Sequence, residues 1–207
     1  MIIDLLLIRH GETTWNQERR YQGQQDSPLS ELGLEQAEKT AAYLRQPSID
    51  AIYTSDLLRA KVTAEVIGRP HGLSPIEDER LREISFGVWE GLTRAEVQAK
   101  YPQIFADRFR DTQNVRVPGG ELPGEVVDRL MDFVSDLVSK HGNHRVACIS
   151  HGGSLRLLLA AMLGLPLEKS YCFNMSNAGI SHLSFNPQQG PCLWQVHYIN
   201  STAHLLA

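Results

Sequence analysis

Val146-Ala147-Cys148-Ile149-Ser150-His151-Gly152-Gly153 is an apolar run that ends on an imidazole and two glycines, and the chain repeats the design at Leu5-Leu6-Leu7-Ile8-Arg9-His10-Gly11. Short apolar runs bounded by polar residues and glycine read as strands buried on both faces. Strands are therefore expected over 2–8 and 145–150, with a third at Ile49 to Tyr53. Helical patterns separate them. Ser30 can N-cap a helix whose apolar positions are Leu34, Ala37, Ala41 and Leu44, and Asp56 can cap a second running through Leu58, Val62 and Val66 to Gly68. Strand alternating with helix predicts an α/β fold, a three-layer α/β/α sandwich around a mostly parallel central sheet.

Thr93-Arg94-Ala95-Glu96 is a capping-box pattern, and Pro102 ends or restarts the helix it opens. This stretch, about residues 87–120, reads as a lid-like insertion over one end of the sheet. Val126, Val127, Leu130, Phe133, Val134, Leu137 and Val138 form one apolar stripe, entered from Pro118-Gly119-Gly120 and left at Gly142. A further helix follows from Leu155 to the stop at Gly164-Leu165-Pro166. Gly179 to Phe185 and Leu193 to Asn200 then read as two strands joined by the turn-forming 186–191, expected to make an antiparallel edge. No linker composition interrupts the chain, so one domain is expected over 1–207.

Twenty basic residues against 24 acidic ones leave a formal charge of −4, which favours neither nucleic acid nor an anionic membrane surface. Any anionic ligand must be held locally. With 42% hydrophobic and 21% charged residues the chain can bury a core, which excludes a disordered or fibrous protein. Cys148, Cys172 and Cys192 are too scattered for a disulfide framework and form no C-x-x-C pair. Reduced thiols and an N-terminus unlike a signal peptide point to a cytoplasmic protein. No H-E-x-x-H, D-x-D or paired Cys/His spacing suggests a metal, and no P-loop suggests a nucleotide triphosphate.

In sheets of this class ligands collect beyond the carboxyl ends of the strands. His10 and His151 both sit there, each followed by glycine, and Arg59 lies in the first turn of the helix after Ile52-Tyr53-Thr54-Ser55. Two guanidinium forks, Arg9 and Arg59, suit the oxygens of a phosphoryl group better than a cation. A neutral imidazole is a competent nucleophile toward phosphorus, and neighbouring arginines oppose its protonation. His10 could then become phosphohistidine. The second imidazole, if protonated, would donate to the equatorial oxygens in the transition state. The other six histidines, among them His182, His197 and His204, read as structural or surface residues.

The ordered set Leu7-Ile8-Arg9-His10-Gly11-Glu12-Thr13, Asn16, Tyr53-Thr54-Ser55-Asp56-Leu57-Leu58-Arg59-Ala60, Glu83 within Leu81-Arg82-Glu83-Ile84, and Ser150-His151-Gly152-Gly153 resembles the histidine phosphatase superfamily, also called phosphoglycerate-mutase-like. The resemblance implies His10 as nucleophile, with Arg9, Arg59 and His151 forming the phosphate pocket around it. Asn16 and Gly152 are implied as further contacts, Gln22 and Gly23 as contacts to the substrate beyond the phosphate. Glu83 is implied as the proton donor to the leaving oxygen and afterwards the base that activates water. No metal and no organic cofactor are implied.

Leu81-Arg82-Glu83-Ile84-Ser85-Phe86-Gly87-Val88-Trp89-Glu90-Gly91 resembles the hydrolase branch. The expected activity is a metal-independent phosphomonoesterase acting on a small phosphorylated metabolite. Phosphoserine, a phosphoglycerate, ribazole phosphate and a sugar phosphate all remain open, although Phe86 stands where phosphoserine phosphatases of the family commonly carry histidine. A phosphoglycerate mutase and a catalytically silent sensor of a phosphorylated ligand are the alternatives. The tail Asn200-Ser201-Thr202-Ala203-His204-Leu205 is similar to that of several hydrolases and could cover the pocket. Phe173, Met175 and the Leu193 edge strand could equally cover a core or a homodimer seam.

Overall fold

Apolar side chains alternate to both sides of each central strand, and that alternation builds the three layers. The computed structural model describes residues 2–188 and 193–206. Its six-stranded sheet has the order β3-β2-β4-β1-β5-β6, with β1 Ile3–Arg9, β2 Ala51–Thr54, β3 Ile76–Glu77, β4 Arg145–Ser150, β5 Ile180–Phe185 and β6 Trp194–Ser201. Leu5, Leu7, Val146 and Cys148 face one way, onto α6 (Pro123–Lys140) and α7 (Gly152–Met162). Leu6, Ile8, Ala147 and Ile149 face the other, onto α2 (Glu31–Tyr43) and α3 (Leu58–Gly68). Burying a side chain of this size contributes about 1.5–3 kcal/mol, so each strand pins helices on both faces.

β1, β2, β3 and β4 are mutually parallel; β5 runs antiparallel to β1, and β6 antiparallel to β5. The expected mostly parallel sheet with an antiparallel edge is therefore present. The expected strand ends shift by one or two residues, because ladder pairing and not apolarity sets where a strand stops. β3 had no sequence signal: it is two residues long and exposed, and exists because it pairs with Tyr53 and Thr54. Residues 189–192 of the expected turn, Cys192 included, lie outside the described residues.

Two local expectations change. Asp56 does not cap α3; its carboxylate takes a two-pronged pair from Arg82, Nη2 at 2.5 Å, and a fork of charge-assisted bonds outcompetes a backbone N–H. Asp26, from a distant loop, accepts from the Leu58 N–H at 2.8 Å instead. The tail does not cover the cavity lined by Arg9, His10 and Arg59. His204 is buried against α2, 3.1 Å from Thr40 Oγ1 and stacked on Tyr43, while Lys39 donates to the Leu205 carbonyl. Ser30 caps α2 as expected, accepting from the Gly33 N–H.

The insertion folds as a turn at Gly87–Trp89 followed by α4 (Arg94–Lys100) and α5 (Pro102–Arg110). Thr93 and Glu96 complete the capping box in both directions, and Pro102 opens α5 at the position where its missing N–H costs nothing. Trp89, Val97 and Val117 form a small core of their own, packed with Tyr21 and Phe86. A short α1 (Thr14–Gln17) follows the His10 loop. Among the described residues no helix is long and apolar enough to cross a membrane.

Candidate active site

Register brings the two histidine loops together. In the parallel β1–β4 pair Arg9 stands opposite Ser150, so His10 and His151 leave the sheet from adjacent strand ends. The His10 N–H donates to the Ser150 carbonyl at 3.0 Å, and the two imidazole rings lie 5.1 Å apart. β2 is the neighbour of β4 on the other side, and α3 carries Arg59 back to the same place. Arg9, His10, Asn16, Gln22, Gly23, Arg59 and Glu83 all line one cavity of about 160 Å³. Gly152 lies beside it, lining an adjoining cavity with Arg9 and Glu83.

His10 is buried, and its Nδ1 lies 2.7 Å from the Gly11 carbonyl. A carbonyl can only accept, so Nδ1 carries the proton and Nε2 keeps its lone pair. Burial, then the positive charges of Arg59 and Arg9, hold this imidazole well below its ordinary pKa of 6.5. His151 is also fully buried, and burial, with Arg59, His10 and Arg9 behind it, pushes it the same way. Both are neutral at pH 7. The protonated form weighed for His151 on sequence is thus not the one held here: beside His10, and not itself among the residues that line the cavity, it is a neutral imidazole with one N–H to donate.

The arginines are anchored by one edge each. Arg59 donates from Nη1 to the Gln25 carbonyl at 2.8 Å and from Nη2 to the Gly23 carbonyl at 2.7 Å; Arg9 donates from Nη1 to the Met175 carbonyl at 2.5 Å. Burial lowers both, Arg59 to about 10, which still leaves it charged at neutral pH. Arg9 Nε, Arg59 Nε and both ring nitrogens of His151 are buried without a protein partner. Such groups are costly unless satisfied, and the three donors among them, two guanidinium Nε–H groups and the one N–H of a neutral His151, suit an oxygen-rich anion.

Glu83 reaches the site through α7. Its Oε1 accepts from the Ile84 and Ser154 N–H groups at 2.9 Å each, and its Oε2 from Gly153 N–H at 3.0 Å. The carboxylate thereby supplies the N-terminal cap that α7 otherwise lacks and faces the positive end of the helix dipole. The two glycines make the approach possible. A Cβ on Gly153 would stand 2.6 Å from Glu83 Oε1, and one on Gly152 3.2 Å from Arg9 Nε.

Two further residues hold the site, neither of them singled out from sequence. Asn177 donates from one amide to both the His10 carbonyl (3.2 Å) and Asn16 Oδ1 (3.1 Å). Asn16 Oδ1 also accepts from Thr13, so its NH₂ is the end left for the cavity. Arg129, on α6, binds the carbonyls of Arg80, Arg82 and Glu83 and the carboxylate of Glu121, fixing the segment that carries Glu83. Neither Asn177 nor Arg129 has a local signature, since each acts on backbone groups far away in sequence. Gln22 and Gly23 are at the cavity, but Gly23 acts through its carbonyl on Arg59. Met175 is buried, and Phe173 packs against the core.

One group of metal-type side chains occurs among the described residues. Asp4, His182 and His197 lie within 4.8 Å of one another at the opposite end of β1, where His182 Nε2 is 3.2 Å from Asp4 Oδ1 and His197 Nε2 is 3.0 Å from Ser184 Oγ. No acid–histidine set with that geometry includes His10 or His151.

Fold and site together define an α/β protein that brings two buried histidines and two arginines together at the carboxyl ends of parallel strands. The model of the histidine phosphatase superfamily, branch 1, matches residues 5–201, and the chain belongs to that family. It is 34% identical over 204 residues to Phosphoserine phosphatase 1 of Hydrogenobacter thermophilus, covering 99% of this chain and 95% of that one. It is also 34% identical, over 99% of this chain and 95% of the other, to a Yersinia pestis protein named "Probable phosphoglycerate mutase GpmB". A mycobacterial glucosyl-3-phosphoglycerate phosphatase, solved with VO3, superposes with a TM-score of 0.85 at 34% identity, over 96% of this chain and 99% of that one.

Proposed function

We propose that the protein is a metal-independent phosphomonoesterase that works through phosphohistidine at His10. The observation that carries the reading is the set of buried, unpartnered N–H donors of Arg9, Arg59 and His151 beside an imidazole whose Nε2 lone pair is free. The phosphoryl group would be gripped by Arg9, Arg59, His151 and the Asn16 amide. Nε2 of His10 attacks phosphorus, the bond to the leaving oxygen breaks, and that oxygen takes a proton from Glu83. Water then gives a proton to Glu83 and its oxygen to phosphorus, the P–N bond breaks, and inorganic phosphate departs. Oε2 of Glu83 has one hydrogen bond against three on Oε1, so it is the oxygen with room for the proton. Charge spreading over the transferring group is met by donors already in place, which is where catalysis of phosphoryl transfer resides.

The substrate is a small phosphorylated metabolite, and the named activities of relatives divide between hydrolysis and mutation. We favour hydrolysis because the sequence after Glu83 resembles the hydrolase branch. The test is inorganic phosphate release in EDTA from a panel of phosphomonoesters, by wild type and His10→Ala. Release in EDTA, lost in the variant with the chain still folded, is the expected result. Transfer of labelled phosphate between sugar acids without release would establish the mutase instead, and binding without turnover would establish the sensor.

A further inference from the structure

Beside the phosphate cavity lies a larger one of about 540 Å³, and the two share Tyr21 and Phe86 as a common wall. Its remaining walls come mainly from the insertion and α7. The chemistry of the lining is lopsided: aromatic rings and three arginines, Arg94, Arg108 and Arg156, with no Asp or Glu among them. Arg108 is committed, since its guanidinium donates to the Thr112 and Val115 carbonyls and holds the loop after α5. The other two are not spent in that way. Arg94 lies over Phe105 at 5.3 Å and Phe109 at 6.0 Å, and Arg156 over Tyr171 at 4.1 Å. Stacking fixes the plane of a guanidinium and leaves its N–H edges free for a carboxylate or phosphate fork. Arg156 Nε is buried without a partner.

Position and size say what would enter. A volume of this order fits a ligand of several rings' extent, well beyond a three-carbon amino acid. The rim is also apolar: Phe109 is 72% exposed and Tyr171 54% exposed, a poor arrangement for a surface that meets only water. An ammonium group would meet arginines and no acid, so a zwitterionic leaving group such as that of phosphoserine is disfavoured. A planar or ring-shaped group would lie against Tyr21, Phe86 and Phe105, and an anionic group on it would reach Arg94 and Arg156.

We propose that the leaving group of the natural substrate is ring-bearing and carries an anionic group of its own, the ring lying among Tyr21, Phe86 and Phe105 and the anion held by Arg94 and Arg156. This rests on the phosphomonoesterase reading and names its substrate class. The two arginines would then determine specificity without touching the transferred phosphoryl group.

The experiment compares kcat/KM for phenyl phosphate (ring without anion) and 4-carboxyphenyl phosphate (both), whose phenol leaving groups are of similar acidity, with 3-phosphoglycerate (anion without ring, and an alkanol leaving group) as an alkyl-ester control. Wild type is expected to favour carboxyphenyl phosphate over phenyl phosphate by about tenfold or more, the worth of one or two charge-assisted hydrogen bonds, expressed mainly in KM. In Arg94→Gln and Arg156→Gln that preference over phenyl phosphate should fall to about threefold or less, with Arg156→Lys retaining part of it. Equal kcat/KM for the two aryl esters in wild type, or a preference that survives both Gln variants, overturns the assignment while leaving the phosphatase reading intact. No phosphate release from any of the three or from the wider panel overturns both.

Discussion

The two imidazoles at the strand ends tie the stability of this protein to pH. His10 and His151 are both buried, and burial, with the arginine charges next in size, holds each well below the ordinary 6.5. The unfolded chain therefore takes up two protons near pH 6.5 that the folded chain refuses. Their contribution to stability is complete above 6.5 and is lost as pH falls from 6.5 toward the lower folded values. Between about pH 7.5 and about pH 5.5 the loss is about 1.4 kcal/mol per imidazole and about 2.7 kcal/mol for the pair, provided both stay neutral in the fold. That is a large part of a total stability of about 5–15 kcal/mol. The assay is urea unfolding at a series of pH values for wild type and for His10→Gln/His151→Gln. His71, His141, His182 and His204, also lowered by burial, are common to both proteins and cancel in the difference. The stability advantage of wild type should shrink by about 2.7 kcal/mol across that window. Parallel curves would refute the reasoning, because the acid sensitivity would then belong to other groups.

Gly153→Ala places a methyl 2.6 Å from Glu83 Oε1, so the carboxylate must move from the N-terminus of α7; kcat should fall by about 100-fold with circular dichroism unchanged, the order expected when a general acid is misplaced. Arg129→Leu leaves Glu121 and three carbonyls without their shared partner. Denaturant unfolding should show a loss of about 3 kcal/mol, and phosphate release should fall as Glu83 loses its anchored backbone.

Apolar patterning was legible because it is local. Leu5 to Ile8 and Val146 to Ile149 could only be strands covered on both faces, and the stripe from Val126 to Val138 only an amphipathic helix. Ser30, Thr93 and Pro102 announced helix starts by chemistry that acts within one turn. Asp56 misled for the same reason in reverse. It has the residue type and position of a cap, but Arg82, 26 positions away, offers a stronger partner.

Order along the chain was enough to nominate Arg9, His10, Arg59, Glu83 and His151 and to assign the α/β class, since strand-end histidines and arginines carry their chemistry in their own side chains. Tertiary structure alone decided what those groups are to one another. The β1–β4 register sets the two rings 5.1 Å apart, burial keeps both neutral, and the Gly11 carbonyl selects which nitrogen of His10 is free. The roles of Asn177 and Arg129, the β3 pairing, and the turning of His204 onto α2 also rest on contacts across more than 20 residues of chain. The physical reason is one of range. Propensity and patterning act over a turn or a strand, whereas desolvation, hydrogen-bond choice and the shape of a cavity depend on every segment packed around the group.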